Sequence, residues 1–125
     1  MDVDDFKQYN DTYGHLEGDE VLIELGELIR NSLRDTDSAY RYGGEEFTII
    51  LPETSKDHAL IVAERIRKEF EGVAFCPGKD SAVHKTVSIG VIQYKNKEKL
   101  ENLIKRADQA MYQAKNQGKS RTVFL

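Results

Sequence analysis

The stretch Tyr42-Gly43-Gly44-Glu45-Glu46-Phe47, running into Thr48-Ile49-Ile50-Leu51, decides how this chain folds. Ser38 to Tyr42 alternates apolar and polar residues, so the two flanks predict paired strands, Ser38–Tyr42 and Glu46–Leu51, joined at a β-hairpin tip. The glycine pair supplies the positive φ that a tight turn demands and leaves the backbone open to an approaching ligand. Two carboxylates at such a tip repel each other unless a cation answers them, and this points to metal chemistry. Solvated turn residues are the commoner setting for an acidic pair. Glu45 and Glu46 are adjacent, so an extended backbone sends them to opposite sides and only one serves as the principal ligand.

Working outward, Pro52 ends the second strand because it has no amide to donate. Ser55 then caps a helix reaching about Phe70, with Ala59, Val62, Ala63, Ile66 and Phe70 facing inward. Upstream, Val21, Leu22, Leu25, Leu28, Ile29 and Leu33 recur at helical spacing and predict one buried stripe. Gly14-His15 and Gly18-Asp19 punctuate the entry to that helix, and Asp19 reads as its N-cap. Phe6 to Tyr13 forms a short helix or turn. Met1 to Asp4 reads as the exit of a strand, with Asp2 and Asp4 projecting to one side of Val3. A strand that opens at its first residue implies a piece cut from a longer chain.

Downstream, Gly72 to Lys79 turns the chain, and Val83 to Tyr94 predicts a strand centred on Thr86–Val91, paired with Val73–Phe75. A last helix from Lys97 to Asn116 buries Leu100, Leu103, Ile104, Ala107, Ala110, Met111 and Ala114. It stops at Gly118, before a short strand from Thr122 to Leu125. The fold class is α+β, with helices packed over a largely antiparallel sheet.

Composition narrows the function. With 125 residues, 39% hydrophobic and 32% charged, the chain builds one domain over residues 1–125. A net charge of −4 with no basic block argues against a general nucleic-acid binder, so an anionic ligand must be met locally or through metal ions. No apolar run has the length of a membrane span, which predicts no membrane contact by this segment. The lone Cys76 reads as an ordinary thiol and fits a reducing cytoplasm. His58 and His84 lack partners at metal-ligand spacing and belong on the surface. There is no Walker loop.

Asp2-Val3-Asp4-Asp5-Phe6-Lys7, Asn10-Asp11-Thr12-Tyr13-Gly14-His15, Gly18-Asp19, Arg41 to Phe47, Ser88-Ile89-Gly90, Ala107-Asp108 and Tyr112-Gln113-Ala114-Lys115 follow one another in order. Together they resemble the GGDEF family of diguanylate cyclases in its GGEEF form, over essentially the whole chain. The resemblance implies a fold like nucleotidyl cyclases and the polymerase palm. It also implies condensation of two GTP into cyclic di-GMP with release of two pyrophosphates.

By the same resemblance, Asp2, the Val3 carbonyl, Glu45 and Glu46 hold two Mg2+ ions, with Mn2+ as an alternative. Glu45 is the main ligand and general base, and Glu46 supports it. Magnesium's preference for oxygen ligands suits this set. Lys7, Lys115 and Lys119 contact the triphosphate, Lys7 also stabilising the transition state. Gly43 and Gly44 let the hairpin backbone approach the substrate. Asn10, His15 and Asp19 belong to the guanine-reading segment. Arg34 and Asp37, with Arg65, match an inhibitory site for product, although an i,i+3 ion pair at a helix end is a common arrangement. The chain carries Gly118-Lys119-Ser120-Arg121 where the family more often has Gly-Arg-Asn-Arg, so the arginine fork is lost at Lys119.

A two-fold symmetric product implies a homodimer with one GTP per chain. The family's upstream Asp-x-Leu-Thr and Asn-Arg-Arg motifs do not appear, and a sensory or receiver domain is expected in the parent chain. Two other readings compete: a non-catalytic module that binds GTP or cyclic di-GMP, and a GTP-binding regulatory half of a phosphodiesterase.

Overall fold

The computed structural model describes residues 1–125. Its elements are β1 (Asp2–Val3), α1 (Phe6–Tyr13), α2 (His15–Ser32), β2 (Ser38–Gly43), β3 (Glu46–Ile50), α3 (Lys56–Glu71), β4 (Val87–Val91), α4 (Leu100–Asn116) and β5 (Thr122–Phe124). The strands lie side by side in the order β2-β3-β1-β4-β5. Three pairings are antiparallel and only β4 with β5 is parallel, giving the largely antiparallel sheet that the sequence predicts.

Strand alternation sorts the side chains into two layers. Val3, Phe47, Val87 and Ile89 point to one face, where they join Phe6, Tyr9, Val21, Leu22, Leu25, Ile29, Ala63, Ile66 and Phe70 in the main core. Their alternates, Asp2, Glu46, Ser88 and Gly90, point to the other face, which α4 covers. A Cβ at Gly90 would stand 2.4 Å from the Met111 amide nitrogen and 2.7 Å from the Ala107 carbonyl, so glycine is what lets α4 lie directly on β4. Ala110 and Ala114 are fully buried in that contact. The narrow apolar face of α4 thus leaves a polar margin along β1.

Several predicted boundaries move for identifiable reasons. α2 begins at His15 behind Gly14, whose φ of 95° breaks the chain direction, so Asp19 is an exposed residue of the helix and not its N-cap. Gly18 sits buried within α2 because a Cβ there would lie 1.7 Å from Asn10 Oδ1. Only Gly44 of the glycine pair takes a positive φ, 47°, and Gly44-Glu45 form the two-residue tip between paired Gly43 and Glu46. α4 starts at Leu100, not Lys97, and Leu100 and Ile104 are exposed instead of buried, because close approach at Gly90 restricts the inner stripe to small residues. The strand expected over Val83–Tyr94 narrows to Val87–Val91, and its pairing with Val73–Phe75 to one bridge, Phe75 with Val83. Ser55 caps α3 as expected, accepting from the His58 amide at 3.3 Å.

Candidate active site

The centre of the site is β1, held between two strands from distant parts of the sequence. The Val3 amide donates to the Glu45 carbonyl at 3.3 Å, and the Asp4 amide to the Thr86 carbonyl at 2.9 Å. Asp2 stands directly opposite Glu46 across the β1–β3 pair. Glu45 lies one residue nearer the tip, where Arg41 Nε donates to the Gly44 carbonyl at 2.8 Å and pins the turn. The Glu45 carboxylate enters none of the molecule's ion pairs. Burial, then the charges of Asp2, Asp108 and Glu45, push the Glu46 carboxyl above its usual range despite the N-terminal ammonium nearby.

Lys115 answers these acids from the last turn of α4. Its ammonium lies 2.8 Å from Asp2 Oδ1 and 2.7 Å from Asp4 Oδ1, and donates to the Val3 carbonyl at 3.3 Å. Burial opposes its charge, but Asp2 and Asp4 outweigh burial and raise its pKa. Asp4 is buried at 2% exposure and accepts four hydrogen bonds: Thr86 Oγ1 and Ser88 Oγ at 2.7 Å, Lys115 Nζ at 2.7 Å and the Ser120 amide at 3.0 Å. Burial alone would raise the Asp4 pKa, yet the bonds from Lys115, Ser88, Thr86 and Ser120 hold it below the usual range. Asp4 is a joint that the sequence reading passed over. Its visible signal was its alternation with Asp2.

Lys119 pairs with Asp5, Nζ to Oδ1 at 2.6 Å, from a turn in which Gly118, Lys119 and Ser120 all take positive φ. Lys7 is exposed on α1 and makes no ion pair. The predicted phosphate-binding lysines 115 and 119 are therefore brought beside β1, each neutralised by the chain's own carboxylates.

No three His, Cys, Asp or Glu side chains close into a metal cage. The oxygens of Asp2, Asp4 and Val3 nevertheless converge on one cation, the Lys115 ammonium, with Glu46 facing Asp2. A donor set of carboxylate and carbonyl oxygens that already holds a cation fits an ion such as Mg2+, which takes its remaining ligands from water and phosphate.

The base-reading candidates meet at the α1–α2 contact. Asn10 packs on Gly18, next to Asp19, and Asn10 Oδ1 is buried without a hydrogen-bond partner. A cleft of about 340 Å³ opens beside Asp19, lined by Leu22, Ile23, Arg41 and Phe47. A larger groove of about 560 Å³ continues between α2 and β2 toward Arg34 and Asp37, away from the β1 acids. His15 is exposed at the start of α2.

Arg34 and Asp37 lie at the other end of α2. Arg34 Nη2 pairs with Asp37 Oδ1 at 2.9 Å, Nε donates to Oδ2 at 3.2 Å, and the Arg34 amide donates to Oδ2 at 2.9 Å. Nη2 also donates to Thr54 Oγ1 at 2.8 Å and to the Pro52 carbonyl at 3.1 Å. Arg65 reaches the same end of α2, donating to the Ser32 carbonyl at 2.8 Å. The three residues are thus gathered, with the two arginines engaged internally.

A family profile described as "Diguanylate cyclase, GGDEF domain" matches residues 1–121. The chain belongs to this family. It is 45% identical to Diguanylate cyclase A of Treponema denticola, over 99% of this chain and 33% of that protein. Among solved structures it is similar to the diguanylate cyclase SiaD of Pseudomonas aeruginosa in complex with its activator SiaC, with TM-score 0.93 and 40% identity over 99% of this chain and 47% of that one. It is also similar to the GGDEF domain of DgcB from Caulobacter crescentus in complex with c-di-GMP, with TM-score 0.93 and 33% identity over 98% of this chain and 73% of that one. The chain thus spans about a third of the curated relative's length.

Proposed function

We propose that this chain condenses two GTP into cyclic di-GMP with release of two pyrophosphates. The observation that carries the reading is the meeting of hairpin and β1: Asp2 opposite Glu46, the Val3 amide on the Glu45 carbonyl, and Lys115 lodged between Asp2, Asp4 and the Val3 carbonyl. A cation site beside two lysines is what phosphoryl transfer to a sugar hydroxyl requires.

Asp2, the Val3 carbonyl, Glu45 and Glu46 are the residues that would hold the magnesium ions. Bound there, magnesium acidifies the attacking 3′-hydroxyl and offsets the charge of the departing pyrophosphate. Glu45, whose carboxylate is free of ion pairs, accepts the hydroxyl proton as the 3′-oxygen bonds to the α-phosphorus of the other GTP and the bond to its β-phosphate breaks. Lys7, Lys115 and Lys119 bind the triphosphate, Lys7 directly and the other two once they exchange their internal carboxylates for phosphate. Gly43 and Gly44, each with open space where a Cβ would stand, let the tail pass close to the tip.

Asn10 and Asp19 read the guanine edge, His15 closing the same segment. Asn10 packs on Gly18 directly before Asp19, which sets its amide beside the carboxylate that would meet the guanine donors. Each step joins two nucleotides head to tail, so a homodimer with facing sites completes the ring. Arg34, Asp37 and Arg65 bind the product and restrain the enzyme, and Arg34→Ala weakens that binding.

Incubating the full-length protein with GTP and magnesium, with nucleotides resolved by chromatography, tests the reading. Cyclic di-GMP and pyrophosphate from the wild type, and a loss of roughly 100-fold or more with Glu45→Gln, are expected. Tight GTP binding without product would replace the enzyme by a regulatory module, which this segment would serve without membrane or nucleic-acid contact. No helix is long and apolar enough to cross a membrane.

A further inference from the structure

Lys85 belongs to no motif in the sequence reading, yet it lies at the edge of the proposed phosphate site. It immediately precedes Thr86, whose carbonyl accepts from Asp4, so the backbone that fixes Asp4 also fixes the origin of this side chain. Its ammonium lies 3.5 Å from the Asp5 carbonyl, the outer limit of a hydrogen bond, and 5.4 Å from the centre of the Tyr9 ring. Asp5 is therefore approached from two sides, by Lys119 at its carboxylate and by Lys85 at its carbonyl.

The three lysines differ in what neutralises them. Lys115 takes Asp2 and Asp4, and Lys119 takes Asp5, which uses every carboxylate of the β1–α1 turn. Lys85 is left with no ion pair. It is partly buried, so it has lost hydration without gaining an anion, an arrangement that a charged ligand relieves. Burial lowers its pKa, Asp5 and Asp4 act against that, and the charges of Lys115 and Lys119 add to the lowering. The adjoining start of α1 carries no side-chain cap, so its first amides also lack a protein acceptor on that side.

We propose that Lys85 is a fourth phosphate-binding lysine, one that grips the distal phosphates of a nucleoside triphosphate lying along the β1–α1 turn. It rests on the GTP reading above. The unpaired ammonium supplies a charge where Lys119 lacks the arginine fork, and it makes the site favour a triphosphate over a monophosphate.

Calorimetric titration of the full-length protein with the non-hydrolysable α,β-methylene analogue of GTP, and separately with GMP, tests it. Lys85→Gln is expected to weaken the triphosphate analogue by about tenfold, the scale of one charge-assisted hydrogen bond. GMP affinity and the melting temperature of the ligand-free protein stay unchanged, and Lys85→Arg recovers most of the loss. A glutamine variant that binds the analogue as tightly as wild type, or that loses both nucleotides equally, overturns the inference alone. Wild type binding neither nucleotide overturns the GTP reading and this inference with it.

Discussion

Two cationic regions of this molecule hold their charges in opposite ways. At β1, Asp4 is buried and draws hydrogen bonds from β4, from α4 and from the turn after it, residues more than 80 positions away in sequence. At the far end of α2, Arg34 is tied to Asp37 three positions on, and its side chain keeps 58% of its exposure. The first is a joint that the fold must close to exist. The second is a clasp closed mainly by neighbours in sequence, with Thr54 Oγ1 and the Pro52 carbonyl adding to it; the Asp37 side chain is only 3% exposed, and the guanidinium is the side left open to a ligand.

The contrast also explains how much could be read in advance. The hairpin, the α2 stripe and the Ser55 cap are local patterns, and the structure follows them. The Arg34–Asp37 pair was legible as an i,i+3 contact for the same reason. Lys85 was not legible as part of a site, and Asp4 showed only its alternation with Asp2, because the partners of both lie far away in sequence. Asp19 misled as an N-cap because Gly18 looks like a helix breaker. Only the packing of Asn10 reveals why glycine is needed inside the helix. Leu100 and Ile104 misled because helical spacing does not tell how far a neighbouring sheet reaches. The meeting of Asp2 with the hairpin acids was expected only from the family resemblance, because local patterns say nothing about which strands are neighbours.

Deleting the joint should have the largest effect. Asp4→Ala strands the hydroxyls of Thr86 and Ser88 and the Lys115 ammonium, and is expected to cost about 3–5 kcal/mol in urea denaturation, the penalty for breaking a buried pair. A cost no greater than that of Asp37→Ala would erase the distinction between the two regions.

The clasp gives a functional effect with little structural one. Arg34→Ala is expected to weaken cyclic di-GMP binding by about tenfold, the weight of a charged hydrogen bond, in an equilibrium titration. Its stability effect should follow pH. The Arg34 hydrogen bonds hold Asp37 below the usual carboxylate range, so the stabilisation is complete above the unfolded pKa and disappears as pH falls through the folded one. The melting-temperature gap between wild type and Arg34→Ala should therefore close in acid. A gap that widens there would reverse the sign.

Smaller changes sharpen the picture at the β1–α1 turn. Asp5→Asn removes the carboxylate that competes for Lys119 while suiting a φ of 53°, since asparagine tolerates the left-handed region. It should tighten binding of the methylene GTP analogue by roughly threefold, the worth of an exposed ion pair. Lys119→Arg restores a two-pronged donor and should lower the KM for GTP by about twofold. An unchanged KM would show that the fork adds nothing at this position.

The proposed function depends most on a divalent cation shared by β1 and the hairpin tip, and manganese would report on it directly. Electron paramagnetic resonance of Mn2+ with the full-length protein and the methylene GTP analogue should show the ion retained by wild type. Asp2→Asn and Glu45→Gln should each lower its affinity by about tenfold or more, since even losing an outer partner of a metal ligand costs roughly that much. Retention by either variant at wild-type affinity would contradict the claim that β1 and the hairpin tip hold the same ion.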